Sequence, residues 1–227
     1  MPAGALEDIL QRLEDAAMAA DRPVPRLLAV SKLKPAAAIA QLAAAGQHAF
    51  GENYVQEARA KAAELAAPGL EWHLIGHLQS NKAEVAATLF DWVQTVDRPK
   101  LVAALARHRP PHRPPLNLLI QVNVDDEPGK HGCRPDQIEA LAAAIAAEPR
   151  LALRGLMAIP TPHDDLELRR PAFRRLHGLF DALAARYPSV DTLSMGMSDD
   201  FAIAIAEGAT MVRIGTALFG ARTGNGQ

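Results

Sequence analysis

The sequence has very little cysteine, with Cys133 as the one thiol among 227 residues. A single cysteine cannot form a disulfide within the chain, so a reducing compartment such as the cytoplasm is expected. The chain also lacks a basic excess, because its 24 lysines and arginines are outnumbered by 26 aspartates and glutamates. This balance argues against a nucleic-acid-binding surface.

Long apolar runs are absent as well, and none is long enough to cross a bilayer. The first 21 residues lack the basic start and continuous apolar core of a signal peptide. We therefore expect a cytoplasmic protein that does not contact a membrane. Hydrophobic residues make up 49% of the chain and charged residues 22%, which is typical of a globular protein. With no obvious linker, we expect one domain over 1–227.

Several motifs of well-known enzymes are missing. No Gly-x-Ser-x-Gly is present, which argues against a serine hydrolase. The dinucleotide-binding pattern Gly-x-Gly-x-x-Gly is also absent. Cys133 has no partner at zinc-ligand spacing, and His108 and His112 lie in a loop rich in proline and arginine. The sequence therefore predicts no metal site.

The chain alternates runs rich in Val, Ile and Leu with alanine-rich helical stretches. Runs such as Leu118-Leu119-Ile120 are continuous, which indicates strands covered on both faces, as in a parallel sheet. The predicted strands cover 26–31, 48–51, 71–75, 92–96, 116–124, 152–158, 192–195 and 211–214. The predicted helices cover about 5–20, 35–45, 54–66, 81–89, 100–107, 135–148, 166–187 and 199–207. This order predicts an α/β fold, a (β/α)8 TIM barrel with an extra N-terminal helix, and a doubly wound open sheet is the alternative.

A barrel of this kind binds its ligand at the loops that follow the strands. The ends of the predicted strands are polar or glycine-rich, and they supply Lys32, Glu52, Asn53, Gly76, His77, Asn123, Ser194, Gly215 and Thr216. We expect these residues to surround the mouth of the barrel.

Lys32 ends the first apolar strand, which directs it towards the mouth. A lysine amine attacks an aldehyde only in its neutral form, which desolvation or a nearby cation favours. Lys34 is two residues further on and shares a face with Lys32 for as long as the strand geometry lasts. Taken alone, however, the segment favours an ordinary surface lysine at a strand end.

The C-terminal part contains a possible phosphate site. Ser198 precedes a helical run, and Gly215 and Thr216 follow the last strand, where barrels often bind phosphate. Glycine lets a phosphate approach the backbone, and helix N-termini offer free N–H groups. Alternatively, Ser198 is only an N-cap, with Asp199 and Asp200 in the first turn. If the site binds phosphate, both carboxylates should point away from it.

Asn53 and two histidines allow two interpretations each. Asn53 either caps the helix that follows it or hydrogen-bonds a ligand at the mouth. His73 lies inside a predicted strand and is expected to be a packed, hydrogen-bonded side chain. His77 lies beyond that strand, within reach of a ligand.

Taken together, these segments resemble one family, the pyridoxal phosphate homeostasis proteins, which are similar to the lone barrel domain of alanine racemases. The matching segments follow one another from the first strand almost to the end of the chain. They are Ala29-Val-Ser-Lys-x-Lys-Pro, Phe50-Gly-Glu-Asn-Tyr-Val-Gln-Glu, Trp72-His-Leu-Ile-Gly-His-Leu-Gln-Ser-Asn-Lys, Gly155-Leu-Met, and Leu193-Ser-Met-Gly-Met-Ser-Asp-Asp onwards to Gly220.

The resemblance implies the cofactor pyridoxal 5'-phosphate (PLP) and a role for each site residue. Lys32 matches the lysine that forms the Schiff base, and Asn53 a residue near the cofactor ring. Arg213 matches the residue that faces the pyridine nitrogen, and an arginine there keeps that nitrogen unprotonated and weakens the ring as an electron sink. The phosphate positions are matched by Ser198, Gly215 and Thr216.

The same site fits a carrier that stores or hands over PLP and a PLP-dependent amino-acid racemase. Racemisation needs acid–base groups on both faces of the substrate carbon. In two-domain racemases the opposing tyrosine comes from a second domain, and the tyrosines of this chain are Tyr54 and Tyr187. Tyr54 adjoins Asn53 and remains a candidate for that role. The sequence therefore favours a non-catalytic PLP carrier, expected to be a monomer, with apo forms of PLP-dependent enzymes as possible recipients.

Overall fold

The computed structural model describes residues 2–65 and 69–220. The last residue of the predicted helix 54–66 and both ends of the predicted domain 1–227 lie outside this part of the chain. Among the described residues, no helix combines the length and the apolar character that a membrane span requires.

Eight parallel strands form a closed barrel in which each strand pairs with its neighbours in chain order and the last pairs with the first. The strands are β1 (Arg26–Val30), β2 (Ala49–Glu52), β3 (Glu71–Leu74), β4 (Trp92–Val96), β5 (Leu116–Gln121), β6 (Leu151–Met157), β7 (Thr192–Ser194) and β8 (Met211–Ile214). The (β/α)8 barrel predicted from the sequence is therefore confirmed, and the open sheet is excluded because β1 and β8 pair from Arg26 with Met211 to Ala29 with Ile214.

The helices lie between the strands and at both ends of the described chain. They are α1 (Pro2–Ala19), α2 (Ala36–Ala44), α3 (Val55–Leu65), α4 (Ala83–Leu89), α5 (Pro99–His108), α6 (Ile138–Ala146), α7 (Arg170–Ala184), α8 (Phe201–Ala206) and α9 (Thr216–Phe219). The extra N-terminal helix α1 was predicted. It buries Leu6, Ile9, Leu13 and Ala17, which share one face at helical spacing, and it packs against α2, α8 and α9.

Three predicted helices begin later than expected because their first turn is a 3-10 helix. These turns are Ser80–Lys82, Pro135–Gln137 and Leu166–Arg169. The fifth strand also ends at Gln121 rather than 124, because the chain beyond it bonds to a returning segment at Cys133. The short helix α9 was not predicted at all.

Candidate functional site

A cleft of about 430 Å³ opens where the strands end, within the range of about 300–1,000 Å³ that is usual for small-ligand sites. Its lining comes from the ends of six strands and the segments that follow them, namely at β1, β2, β3, β6, β7 and β8. The lining residues are Val30, Lys32, Asn53, Ile75, Ile159, Met197, Ser198, Asp199, Arg213, Gly215 and Thr216. The cleft thus brings together all six residues that the sequence predicted for a cofactor: Lys32, Asn53, Ser198, Arg213, Gly215 and Thr216.

Lys32 lies exposed in a tight turn directly after β1. Leu33 adopts a left-handed conformation there, with φ of 61°, and its N–H donates to Glu57 Oε1 at 2.6 Å. Since the strand ends at Val30, the predicted strand-face relation between Lys32 and Lys34 does not hold. Lys34 Nζ instead donates to the carbonyls of Phe219 and Gly220, and both lysines line a second cavity of about 80 Å³ beside the cleft.

A buried ion cluster supports this turn from below. Lys61 of α3 donates to Glu52 Oε1 at 2.8 Å, to Glu57 Oε1 at 2.7 Å and to the Ser31 carbonyl at 2.8 Å. The Ser31 hydroxyl donates to Glu52 as well, at 2.5 Å. Burial raises the pKa of Glu52 above its ordinary value, although Lys61 and Ser31 act in the opposite direction. The cluster therefore fixes the residues on both sides of Lys32 to β2 and α3.

Arg213 brings a buried positive charge to the floor of the cleft. Its Nη1 donates to the carbonyl and the hydroxyl of Ser194, and its Nη2 to the carbonyl of Ala158, each at 2.8 Å. These acceptors are neutral oxygens. Burial lowers the pKa of Arg213 to about 10, with Asp200 opposing this shift, so the guanidinium keeps its proton at neutral pH. An arginine in these surroundings can bind a ligand atom that accepts a hydrogen bond.

A chain of polar side chains continues from Arg213 through the barrel interior. The Ser194 hydroxyl donates to Gln94 at 2.7 Å, and Gln94 contacts His73 Nδ1 at 2.9 Å. His73 is fully buried and bonds through Nε2 to Glu71, which confirms that it is a packed, hydrogen-bonded side chain. Burial lowers the pKa of His73, which favours a neutral ring.

The segment around Ser198 bears on the choice between an N-cap and a phosphate contact. Helix α8 begins at Phe201, so Ser198 is not its N-cap, and Ser198 instead lines the cleft. Asp200 does turn away, because it accepts from Arg169 and from the Met197 N–H, each at 2.7 Å. Asp199 lines the cleft beside Ser198, and the expectation that its carboxylate points away from a phosphate stays a prediction. Asp200 is the N-cap of α8, although its side chain makes no capping hydrogen bond.

Two glycines set how closely the cleft segments pack. A Cβ atom at Gly215 would lie 3.1 Å from the Val30 carbonyl, so glycine lets the end of β8 approach the end of β1. A Cβ atom at Gly76 would lie 2.1 Å from the Asn53 carbonyl. Glycine at position 76 thus lets the two backbones approach closely, and Asn53, two residues before the start of α3 at Val55, lines the cleft.

Both tyrosines lie among the described residues, and neither lines the cleft. Tyr54 has 62% of its surface exposed. Tyr187 donates its hydroxyl to Glu139 at 3.0 Å. The cleft therefore has no tyrosine to place opposite Lys32.

The sequence reasoning missed one cluster on the same rim, made by His77, Asp97 and His131. These residues are separated by 20 and 34 positions, so no spacing pattern reveals them. The available signal was that each follows one of three successive strands, β3, β4 and β5. Only His77 was considered as a ligand contact, and it does not line the cleft.

Comparison with known proteins agrees with this geometry. The family model described as "Alanine racemase, N-terminal domain" matches residues 5–223. The closed parallel barrel and this match together identify the chain as a barrel domain of the alanine racemase N-terminal class. The pyridoxal phosphate homeostasis protein of Escherichia coli K12 is 54% identical to this chain, and the match covers 86% of this chain and 85% of the relative. The pyridoxal phosphate homeostasis protein of Pasteurella multocida is 52% identical, and the match covers 96% of both chains. The chain therefore belongs to the pyridoxal phosphate homeostasis protein family.

Solved structures separate this family from the racemases. PipY of Synechococcus elongatus, determined with PLP bound, is 38% identical with a TM-score of 0.85 and covers 97% of this chain and 100% of its own. Alanine racemase of Corynebacterium glutamicum is 19% identical with a TM-score of 0.66, and the match covers 99% of this chain but 62% of the racemase. A likeness at that identity shows the shared fold alone.

Proposed function

We propose that this protein binds PLP through Lys32 and takes part in PLP homeostasis by holding the cofactor without catalytic turnover. The observation that carries this proposal is that the six predicted cofactor residues share one cleft at the mouth of the barrel. PLP in the solved structure of PipY, and the names of the relatives at 52–54% identity, support it further.

The chemistry of the cleft fits this cofactor. PLP supplies an aldehyde, a ring nitrogen and a phosphate. Lys32 Nζ is the amine for a Schiff base with the aldehyde, and Arg213 is the donor for the ring nitrogen. The hydroxyls of Ser198 and Thr216, with the close backbone at Gly215, provide the phosphate contacts. Asn53 completes the wall on the side of β2.

The same lining argues for a carrier rather than a racemase. Lys32 provides one acid–base group, but Tyr54 and Tyr187 do not line the cleft. Asp199 does line it, yet as the neighbour of Ser198 it belongs to the proposed phosphate end. Arg213 keeps its proton and so cannot supply one to the ring nitrogen, which weakens PLP as an electron sink.

Borohydride trapping tests the binding mode directly. Reduction of the protein loaded with PLP should fix one cofactor per chain, and peptide mapping by mass spectrometry should place the adduct on Lys32. An adduct that maps mainly to another lysine would reject this assignment. A colourless protein that incorporates no PLP would instead favour a Schiff-base aldolase without cofactor.

Turnover distinguishes the carrier from the racemase. We expect the PLP-loaded protein to interconvert L- and D-alanine no faster than free PLP does. The reason is that the cleft offers no tyrosine as an acid–base group on the face of the substrate opposite Lys32. Circular dichroism of the amino acid during incubation measures this, with an authentic alanine racemase as the positive control. Interconversion well above the rate of free PLP would overturn the carrier proposal.

We also propose a cytoplasmic location and a monomeric state, with apo PLP-dependent enzymes as recipients of the cofactor. The single cysteine supports a reducing compartment. Light scattering after size exclusion tests the monomer, and activation of an apoenzyme across a dialysis membrane tests whether transfer needs direct contact.

A further inference from the structure

Three side chains with metal-binding chemistry meet on the rim of the barrel, outside the cofactor cleft. His77 lies in the loop after β3, Asp97 directly follows β4, and His131 lies in the loop between β5 and the 3-10 turn before α6. One donor atom from each lies within 4.8 Å of the others. The cluster neighbours the cleft, because Ile75 lines the cleft two residues before His77.

The carboxylate of this cluster is oriented by a neighbour. Asp97 Oδ1 accepts from Arg98, which also donates to the Leu78 carbonyl at 2.7 Å. The other oxygen, Oδ2, lies 3.8 Å from His77 Nδ1. Hydrogen bonds of this kind orient ligating carboxylates in metal sites. Asp97 is therefore arranged so that its Oδ2 faces the same space as the two histidine rings.

The backbone of the third residue is fixed beside β5. Gly132, next to His131, has φ of 115°, and a Cβ atom there would lie 2.6 Å from the Asn123 nitrogen. The Cys133 N–H donates to the Gln121 carbonyl at 2.8 Å, and the Asn123 N–H donates to the Cys133 carbonyl at 2.9 Å. This pairing keeps His131 close to the rim, where its ring stacks on that of His77 with centroids 4.0 Å apart.

Two imidazoles and one carboxylate suit zinc and its neighbours in the first transition row, whereas magnesium and calcium prefer oxygen ligands alone. Zinc bonds of about 2.0–2.1 Å bring tetrahedral ligand atoms to about 3.3 Å from one another. The planes of the two stacked rings are 15° apart, so the rings must rotate out of this stack before each can direct a nitrogen at the same ion. Both histidines are exposed loop residues, which leaves their side chains free to make this rotation.

From this arrangement we propose that His77, Asp97 and His131 form a binding site for a divalent ion of the zinc type. The ion joins the loops after β3, β4 and β5 beside the cofactor cleft. Three protein ligands leave a coordination position for water or a small anion. The proposal does not depend on PLP binding, because none of the three residues lines the cleft.

The test is titration of the full, tag-free chain with Zn²⁺ by calorimetry, and with Co²⁺ by visible absorption. We expect one ion per chain. Loss of groups that merely support metal ligands costs about 10–100-fold in affinity, so His77→Ala and His131→Ala should each weaken binding at least that much. Asp97→Asn should weaken it as well. His112→Ala removes an exposed histidine elsewhere and should bind as the wild type does, and Mg²⁺ should not compete.

Several results would overturn the proposal. Absence of saturable Zn²⁺ binding in the wild type would show that the cluster is a stacking contact between two histidines and not a metal site. Unchanged binding in both histidine variants, or loss of binding in Cys133→Ser alone, would place the ion elsewhere. Far-ultraviolet circular dichroism and thermal unfolding of the same preparations check that each variant is folded, without any assumption about PLP.

Discussion

Replacing Lys32 with alanine is expected to abolish the absorption band of the protein-bound PLP Schiff base. The amine is the only group of the proposed site that can form this bond, whereas Arg213, Ser198 and Thr216 contribute hydrogen bonds and charge alone. We expect Lys32→Ala to retain weaker binding that dilution or gel filtration reverses. Visible spectra before and after desalting measure both effects.

Lys100→Ala is the matched control, since it removes an exposed lysine from the first turn of α5. It should keep the band and the trapped adduct of the wild type. If Lys32→Ala kept a desalting-resistant band, the proposed attachment point would be wrong. Mapping of the adduct would then show whether Lys34, which shares the smaller cavity with Lys32, holds the cofactor.

Replacing Lys61 with methionine is expected to lower the free energy of unfolding by about 3–5 kcal/mol, as when one partner of a buried ion pair is removed. The Lys61 side chain is 8% exposed, and that of its partner Glu52 is fully buried. Without the ammonium group, the carboxylate of Glu52 stays buried, and among residues 2–65 and 69–220 the Ser31 hydroxyl is its remaining side-chain donor. Urea unfolding followed by circular dichroism measures the loss.

The loss of stability in Lys61→Met should depend on pH, and the pKa of Glu52 determines whether this loss grows or shrinks as the pH rises. Burial already raises this pKa, and removing Lys61 raises it further. A group whose pKa is raised in the folded state contributes stability at low pH that is lost as pH rises through the folded value. Lys61→Met should therefore be closer to the wild type in mildly acidic buffer than at neutral pH.

Two further variants separate this mechanism from simple loss of packing. Glu52→Gln combined with Lys61→Met removes both charges and should recover much of the stability, because a buried pair is often replaceable by neutral groups. Lys100→Met should change stability by no more than about 0.5 kcal/mol, as is usual on the surface. A double variant as unstable as Lys61→Met, at every pH, would contradict the charge-based explanation.

The barrel could be predicted because continuous apolar runs such as Leu118-Leu119-Ile120 mark strands that are covered on both faces. That several of the residues proposed for the cofactor share one cleft could be predicted for a related reason. Parallel strands all end on the same side, so residues that follow strands far apart in sequence meet at one mouth. Lys32 and Gly215 come together in this way, from the first strand and the last, whereas the role of Arg213 followed from the family resemblance alone.

Other features depend on contacts that no local pattern encodes. Lys61 lies on a polar helix and fits a solvent-exposed position by sequence, yet it is buried among the oxygens of Ser31, Glu52 and Glu57. The strand geometry that Lys32 and Lys34 were expected to share ends before the turn at Leu33, whose N–H donates to Glu57. The cluster of His77, Asp97 and His131 could not be predicted, because it depends on how three loops fold over the rim of the barrel.

Closure of the barrel between β1 and β8 has a consequence for synthesis of the protein. Lys32 emerges from the ribosome long before Arg213, Gly215 and Thr216, which follow it in the chain. A nascent chain that stops before β8 carries the amine proposed for the Schiff base but lacks the groups proposed for the ring nitrogen and much of the phosphate. If the proposed site is right, selective capture of PLP requires β8 to pair with β1, so loading with PLP would report that the barrel has closed.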